Sequence, residues 1–117
     1  MRYTFLLYSD PAEQHEPTPE QAAEELAAYG AYIQALQEAG VLVHTDWLAP
    51  EATTVSLVDG QPVVQDGAFV DTREELGGEF VVDVPDLEAA LDWAKRCPAL
   101  YGGKIVVRAS AMPAGEA

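Results

Sequence analysis

Few side chains in this chain have the type and spacing that chemistry requires. His44 and Asp46 stand two residues apart in a strand-like stretch, which puts both on one strand face. A carboxylate beside an imidazole raises its proton affinity and orients it as a base, so the pair is a candidate for acid–base catalysis. Such spacing also arises by chance. Asp66, Gly67, Phe69, Thr72 and Glu74 surround a glycine-bearing loop, where polar groups could rim a pocket for cations or hydroxyls, with Asp66 as a further candidate base. Turn chemistry alone accounts for the same polar residues, with Asp71 or Thr72 capping a helical turn and Phe69 plugging the core.

Cys97 would be a nucleophile if Lys95, Arg96 or Lys104 stabilised its thiolate. Its place three residues after Ala94 and just before Pro98 instead puts it on an inner helical stripe, as a buried structural thiol. Tyr8 and Arg108 fall on the first and last strands and could face a shared cavity. His15 lies in a polar loop, solvated. Neither histidine has a His or Cys at metal-ligand spacing, so no metal and no cofactor is expected. Trp47 and Trp93 read as packing or dimer-contact residues.

These groups need a frame. Residues 2–8 alternate Tyr3, Phe5 and Leu7 with Thr4, Leu6 and Tyr8, a strand apolar on both faces. After a polar loop over 9–17, Thr18-Pro19-Glu20-Gln21 is a capping box with proline at the first helical position. Ala22, Leu26, Tyr29, Ile33 and Leu36 then form one stripe of a long helix that Gly40 ends. Strands are predicted over 41–47, 53–58, 62–65, 79–84 and 104–108, with Asp59-Gly60 as a tight hairpin turn. Residues 72–76 are predicted as a helical turn before Gly77-Gly78. Asp86 caps a second helix with Leu87, Ala90, Leu91 and Ala94 inside, ended by Pro98.

The order is β-α-β, a hairpin insertion, then β-α-β. Right-handed crossovers place both helices on one face of an antiparallel sheet, an α+β ferredoxin-like βαββαβ arrangement in residues 1–110, followed by a tail over 111–117. Two helices leave the other sheet face open, and pairing with a second copy is the simplest cover, so a homodimer is expected.

Composition narrows the partners. The 117 residues hold 20 Asp+Glu against 6 Lys+Arg, a formal charge of −14, while 49% of residues are hydrophobic. The apolar share suffices for one folded domain. The charge disfavours nucleic acid and anionic membranes. No apolar run approaches the ~20 residues of a membrane span, and the short apolar start ends too early for a signal peptide. With a single cysteine, a cytoplasmic protein is expected.

The stretch Asp66-Gly67-Ala68-Phe69-Val70-Asp71-Thr72-Arg73-Glu74-Glu75-Leu76-Gly77-Gly78 resembles the signature of the DGPF group of YCII-related proteins, with Ala68 where the motif has proline. Tyr32, Leu36, Ala39-Gly40, Leu48, Pro50, Ala90, Trp93-Ala94, Pro98 and Val107-Arg108 fit the family in order. The resemblance implies a dimeric α/β barrel and an association with extracytoplasmic-function sigma factors. Some relatives carry a His–Asp pair proposed to be catalytic. Its positions fall here near Tyr29 and Cys97, so the pair is lacking and no catalytic role carries over.

The expected function is therefore a small-molecule-binding or accessory module. Its alternatives are a cofactor-independent acid–base enzyme of small metabolites, or a pure interaction module linked to sigma-factor regulation.

Overall fold

The computed structural model describes residues 1–13, 16–68 and 73–112. The expectations for His15, Phe69, Asp71, Thr72 and the end of the tail lie outside these residues. The alternation at the N-terminus becomes strand β1 (Arg2–Ser9), with Tyr3, Phe5 and Leu7 buried and Thr4, Leu6 and Tyr8 on the opposite side. Helix α1 (Pro19–Glu38) starts at the expected capping box: the Gln21 amide donates to Thr18 Oγ1 at 3.1 Å, and the Thr18 amide donates to Gln21 Oε1 at 3.0 Å. It ends in a Schellman turn, in which Gly40 at φ 72° lets the Val41 amide reach the Leu36 carbonyl at 3.1 Å.

Strands β2 (Leu42–Trp47), β3 (Thr53–Val58), β4 (Gln61–Asp66) and β5 (Glu75–Asp83) follow, then helix α2 (Leu87–Ala94) and strand β6 (Lys104–Ala109). Two short 3₁₀ turns, Pro11–Glu13 and Pro98–Tyr101, interrupt the loops. The main sheet has the order β2-β5-β1-β6, antiparallel throughout, which is the ferredoxin-like order once the hairpin β3–β4 is set aside. Both helices cover one face. Phe5, Phe80 and Val82 of the sheet are fully buried with Leu36 of α1, Ala90 of α2 and Cys97. Each large apolar side chain so buried contributes about 1.5–3 kcal/mol.

Three expectations are corrected. Residues 73–76 do not form a helical turn: β5 already begins at Glu75, four residues before the expected start. Gly77 and Gly78 are strand residues, not a turn. Gly77 is the extra residue where the register with β1 shifts, and a Cβ on Gly78 would lie 2.8 Å from the Asp46 carbonyl, so the central strand needs glycine to pack this closely. On α2, Leu87 and Leu91 are exposed, and the inner stripe is Ala90, Trp93 and Ala94; small residues let this short helix sit close on the sheet. On α1 the stripe is real, but only its C-terminal part, Tyr29, Tyr32, Ile33 and Leu36, meets the core, while Leu26 is 62% exposed.

The hairpin stands apart. Asp59 and Gly60 both have positive φ, 51° and 78°, as its tight turn demands. No helix or strand of the body makes more than a marginal contact with it among the described residues. The chain measures 49 × 44 × 18 Å with a radius of gyration of 16.5 Å. That is wider than the roughly 13 Å of a compact 100-residue domain, as a laterally projecting arm requires.

Candidate functional site

The N-terminal half of α1 overhangs the end of the sheet. Ala22, Glu25, Leu26 and Tyr29, at helical spacings of three, one and three, face a hollow instead of a packed layer. Leu7 and the bulged Gly77 form its floor. Trp47 at the end of β2 forms one wall, and Pro98 and Ala99 of the 3₁₀ turn form another. The result is an open, mainly apolar cleft of about 450 Å³, within the range of small-molecule sites. Trp47 is 53% exposed and meets Tyr29 edge-on, with ring centroids 5.3 Å apart, so two aromatic rings are held in place at the cleft wall.

The electrostatics of the cleft are simple. Glu25 is the one charged residue lining it among the described residues. Partial burial, and then the neighbouring Cys97 and Glu25, push the Tyr29 phenol up to about 12. Burial likewise raises Tyr32, whose hydroxyl donates to the Trp93 carbonyl at 2.9 Å, and Cys97, which is fully buried. These groups stay protonated near neutrality. They offer hydrogen bonds and packing, and no ready base or thiolate nucleophile. Arg96 lies over the Trp93 ring at 4.3 Å rather than beside the thiol.

A broader groove of about 1110 Å³ adjoins the cleft, and the two share Tyr8, Ser9, Glu25 and Gly102. Its rim is ionic. Arg73 Nε and Nη2 donate to Asp10 Oδ2 at 3.2 and 3.0 Å, and Asp10 Oδ1 accepts the Ala12 amide at 2.9 Å. Across the groove the Lys104 ammonium bonds the Glu74 carboxylate, which raises Lys104 above its ordinary value.

The structure disperses most of the sequence candidates. Tyr8 lines both hollows and Glu74 lines the outer groove. Asp66 and Gly67 sit at the hairpin base, where the Gly67 carbonyl accepts Thr54 Oγ1 at 2.6 Å, and line neither hollow. Phe69 and Thr72 fall outside the described residues. His44 and Asp46 do share the open sheet face, but the carboxylate at His44 is Glu79 of β5, whose Oε1 is 3.6 Å from Nε2. That contact is too long for a hydrogen bond. Arg108 faces the same open side opposite Thr4, while Lys104 is the residue opposite Tyr8.

Sequence reasoning missed Glu25, Leu26, Trp47, Pro98 and Ala99 as cleft residues. The available signal was positional: Tyr29 and Cys97 occupy the places of a His–Asp pair in some relatives, and here Cys97 lies close enough to raise the Tyr29 phenol. Among the described residues no cluster of three or more His, Cys, Asp or Glu could hold a metal ion, and no helix is long and apolar enough to cross a membrane.

A four-stranded antiparallel sheet covered on one face by two helices, with a cleft under the first helix, defines a small α+β protein of the ferredoxin-like class. Residues 1–109 match the YCII-related domain, and the chain belongs to the YCII-related family. An uncharacterised protein of Rhizobium meliloti (strain 1021) is 31% identical over 97 residues, covering 81% of this chain and 78% of its own. Among solved structures, the chain resembles 5-chloro-2-hydroxyhydroquinone dehydrochlorinase (TftG) of Burkholderia phenoliruptrix AC1100, solved in complex with 2,5-dihydroxybenzoquinone. The TM-score is 0.55 at 11% identity, over 97% of this chain and 96% of that one. That likeness is one of fold.

Proposed function

We propose that this protein is a cytoplasmic, homodimeric binding module for a small ring-shaped molecule, held in the cleft under α1. The cleft carries this reading: Leu26 and Trp47 are large apolar side chains left exposed in the lining of a concave site, where a ligand gains by covering them. The similarly folded dehydrochlorinase, with its bound dihydroxybenzoquinone, supports a ligand of one ring. Binding is favoured over catalysis because the raised Tyr29 phenol and Cys97 thiol stay protonated, and Glu25, the one charged residue lining the cleft, has no histidine or cation beside it in that lining among the described residues.

A second copy is the natural cover for what the chain leaves bare. The open sheet face carries Leu6 of β1 opposite Val106 of β6, with Val81 of β5 two residues from Glu79, the β5 partner of Leu6. The hairpin adds Val55, Leu57, Pro62 and Val64 on one of its faces. A partner spanning both patches would cover more apolar surface than one seated on either alone.

Thermal-shift measurement and calorimetry with hydroquinone and with 2,5-dihydroxybenzoquinone test the ligand. We expect stabilisation by at least one of them, abolished by Leu26→Lys, since a ligand that binds the folded state must raise its stability. No shift at millimolar concentration of either compound defeats the reading. Sedimentation tests the dimer: a 12.6 kDa particle at micromolar concentration would sink that part alone.

A further inference from the structure

We infer that the cleft is selective for uncharged rings bearing hydrogen-bond donors and excludes ring carboxylates, with Glu25 as the residue that discriminates. The inference rests on the ligand-binding reading above and names the ligand class for the same cleft.

Three observations combine. First, the walls that meet a ligand's faces are apolar or aromatic, with Leu7 below, Leu26 and Pro98 at the sides, and Tyr29 and Trp47 as a fixed aromatic pair. Such walls suit a flat apolar ring. Second, no lysine or arginine lines the cleft among the described residues. Arg73 and Lys104 line the outer groove and are each bonded to carboxylates, Arg73 to Asp10 and Glu13, Lys104 to Glu74. An incoming carboxylate thus meets no cation in the cleft. Third, Glu25 lies where cleft and groove join, one helical turn before Tyr29 on the same face, close enough to help raise the Tyr29 phenol.

A carboxylate at that junction accepts hydrogen bonds and donates none, so a hydroxyl or aromatic amine on the ring gains a charge-assisted bond there. A ring carboxylate finds like charge instead, and no lysine or arginine in the lining offsets it among the described residues. Tyr29, which also lines the cleft, keeps its phenol protonated throughout the physiological range and so adds no charge there. Glu25 itself is exposed and packs into no core, so neutralising it leaves the fold intact.

The test is calorimetry with hydroquinone and 4-hydroxybenzoate, which share the ring and one hydroxyl and differ in charge, on the full chain and on Glu25→Gln. We expect the wild-type chain to bind hydroquinone at least about tenfold more tightly than 4-hydroxybenzoate, with the gap narrowing as salt rises. In Glu25→Gln the gap should close to within about threefold, mainly through better binding of 4-hydroxybenzoate. Equal affinities in the wild-type chain, or an unchanged gap in Glu25→Gln, overturn the inference while leaving ring binding standing. Failure of both compounds, with the uncharged ring catechol also silent, removes the binding reading itself.

Discussion

The four-stranded sheet and the β3–β4 hairpin are both antiparallel, β-branched and apolar on at least one face, yet they end in opposite environments. In the sheet, Phe5, Phe80 and Val82 face two helices and lose all contact with water. In the hairpin, register pairs Val55 with Val64 and Leu57 with Pro62 on one face, and Ser56 with Val63 and Thr54 with Gln65 on the other. The more apolar face is the more exposed one: Val55, Val64 and Leu57 are 66%, 69% and 72% exposed. An isolated two-stranded ribbon is marginal in water, so the hairpin's stability must come from elsewhere. Apolar alternation specifies a face to be covered. It does not say whether this chain, a ligand or a second copy does the covering.

The sharpest way to break this contrast is to truncate one buried and one exposed apolar residue. Phe80→Ala should cost about 3–5 kcal/mol, because the cavity lies under both helices and cannot collapse. Leu57→Ala, in the dilute monomer, should change stability by less than about 0.5 kcal/mol. Urea denaturation of both variants checks this. Comparable losses would mean the hairpin is packed on its own body.

Next in size is a substitution that separates strand from turn. Gly78→Ala places a Cβ against the Asp46 carbonyl, backbone that cannot swing aside, and should cost about 1–3 kcal/mol. A residue in a solvated turn would tolerate the same methyl, so a neutral result would put Gly77-Gly78 outside the strand, which the sequence reading began only at residue 79.

That pair shows where legibility ran out. The α1 cap, its glycine stop and the Asp59-Gly60 turn were readable because each depends on a few adjacent residues. The sheet order followed from two helices and the handedness of crossovers. Gly-Gly misled because in a central strand glycine serves close approach, and sequence cannot show which backbone comes near. The cleft was hidden for a related reason. Ala22 and Leu26 continue the same stripe as Ile33 and Leu36, and only the length of the sheet beneath decides which of them find a floor. His44 was credited with Asp46, its strand neighbour, whereas the closer carboxylate, Glu79, comes from the adjacent strand.

The hairpin's side of the contrast is sharpened by charging its apolar face. Val55→Lys combined with Leu57→Lys should weaken self-association by about tenfold or more, read by sedimentation equilibrium, since buried ammonium groups without partners are costly in an interface. The urea midpoint of the dilute monomer should stay where it was. Unchanged association would exclude this face from the dimer contact, and a lowered monomer midpoint would show that the body itself had been covering it.

The smallest effect distinguishes the two regions by pH. Tyr29 has its phenol raised from 10.0 to about 12, first by burial and then by Cys97 and Glu25. A group whose folded value is raised contributes stability that is fully present below the unfolded value and is lost as pH climbs through the folded one. The body should therefore lose stability between pH 10 and about 12. Tyr32 and Cys97, both raised chiefly by burial, add to this loss in the same direction. Tyr29→Phe should flatten part of that decline and remove one late-ionising component from the phenolate absorbance titration. The effect is modest, because the ring is only half buried and solvent screens what remains. The hairpin strands contain no tyrosine, cysteine, lysine or arginine, so substitutions there should leave the alkaline limb alone. A hairpin variant that steepened that limb would tie the arm to the core, and the two regions would have to be treated as one.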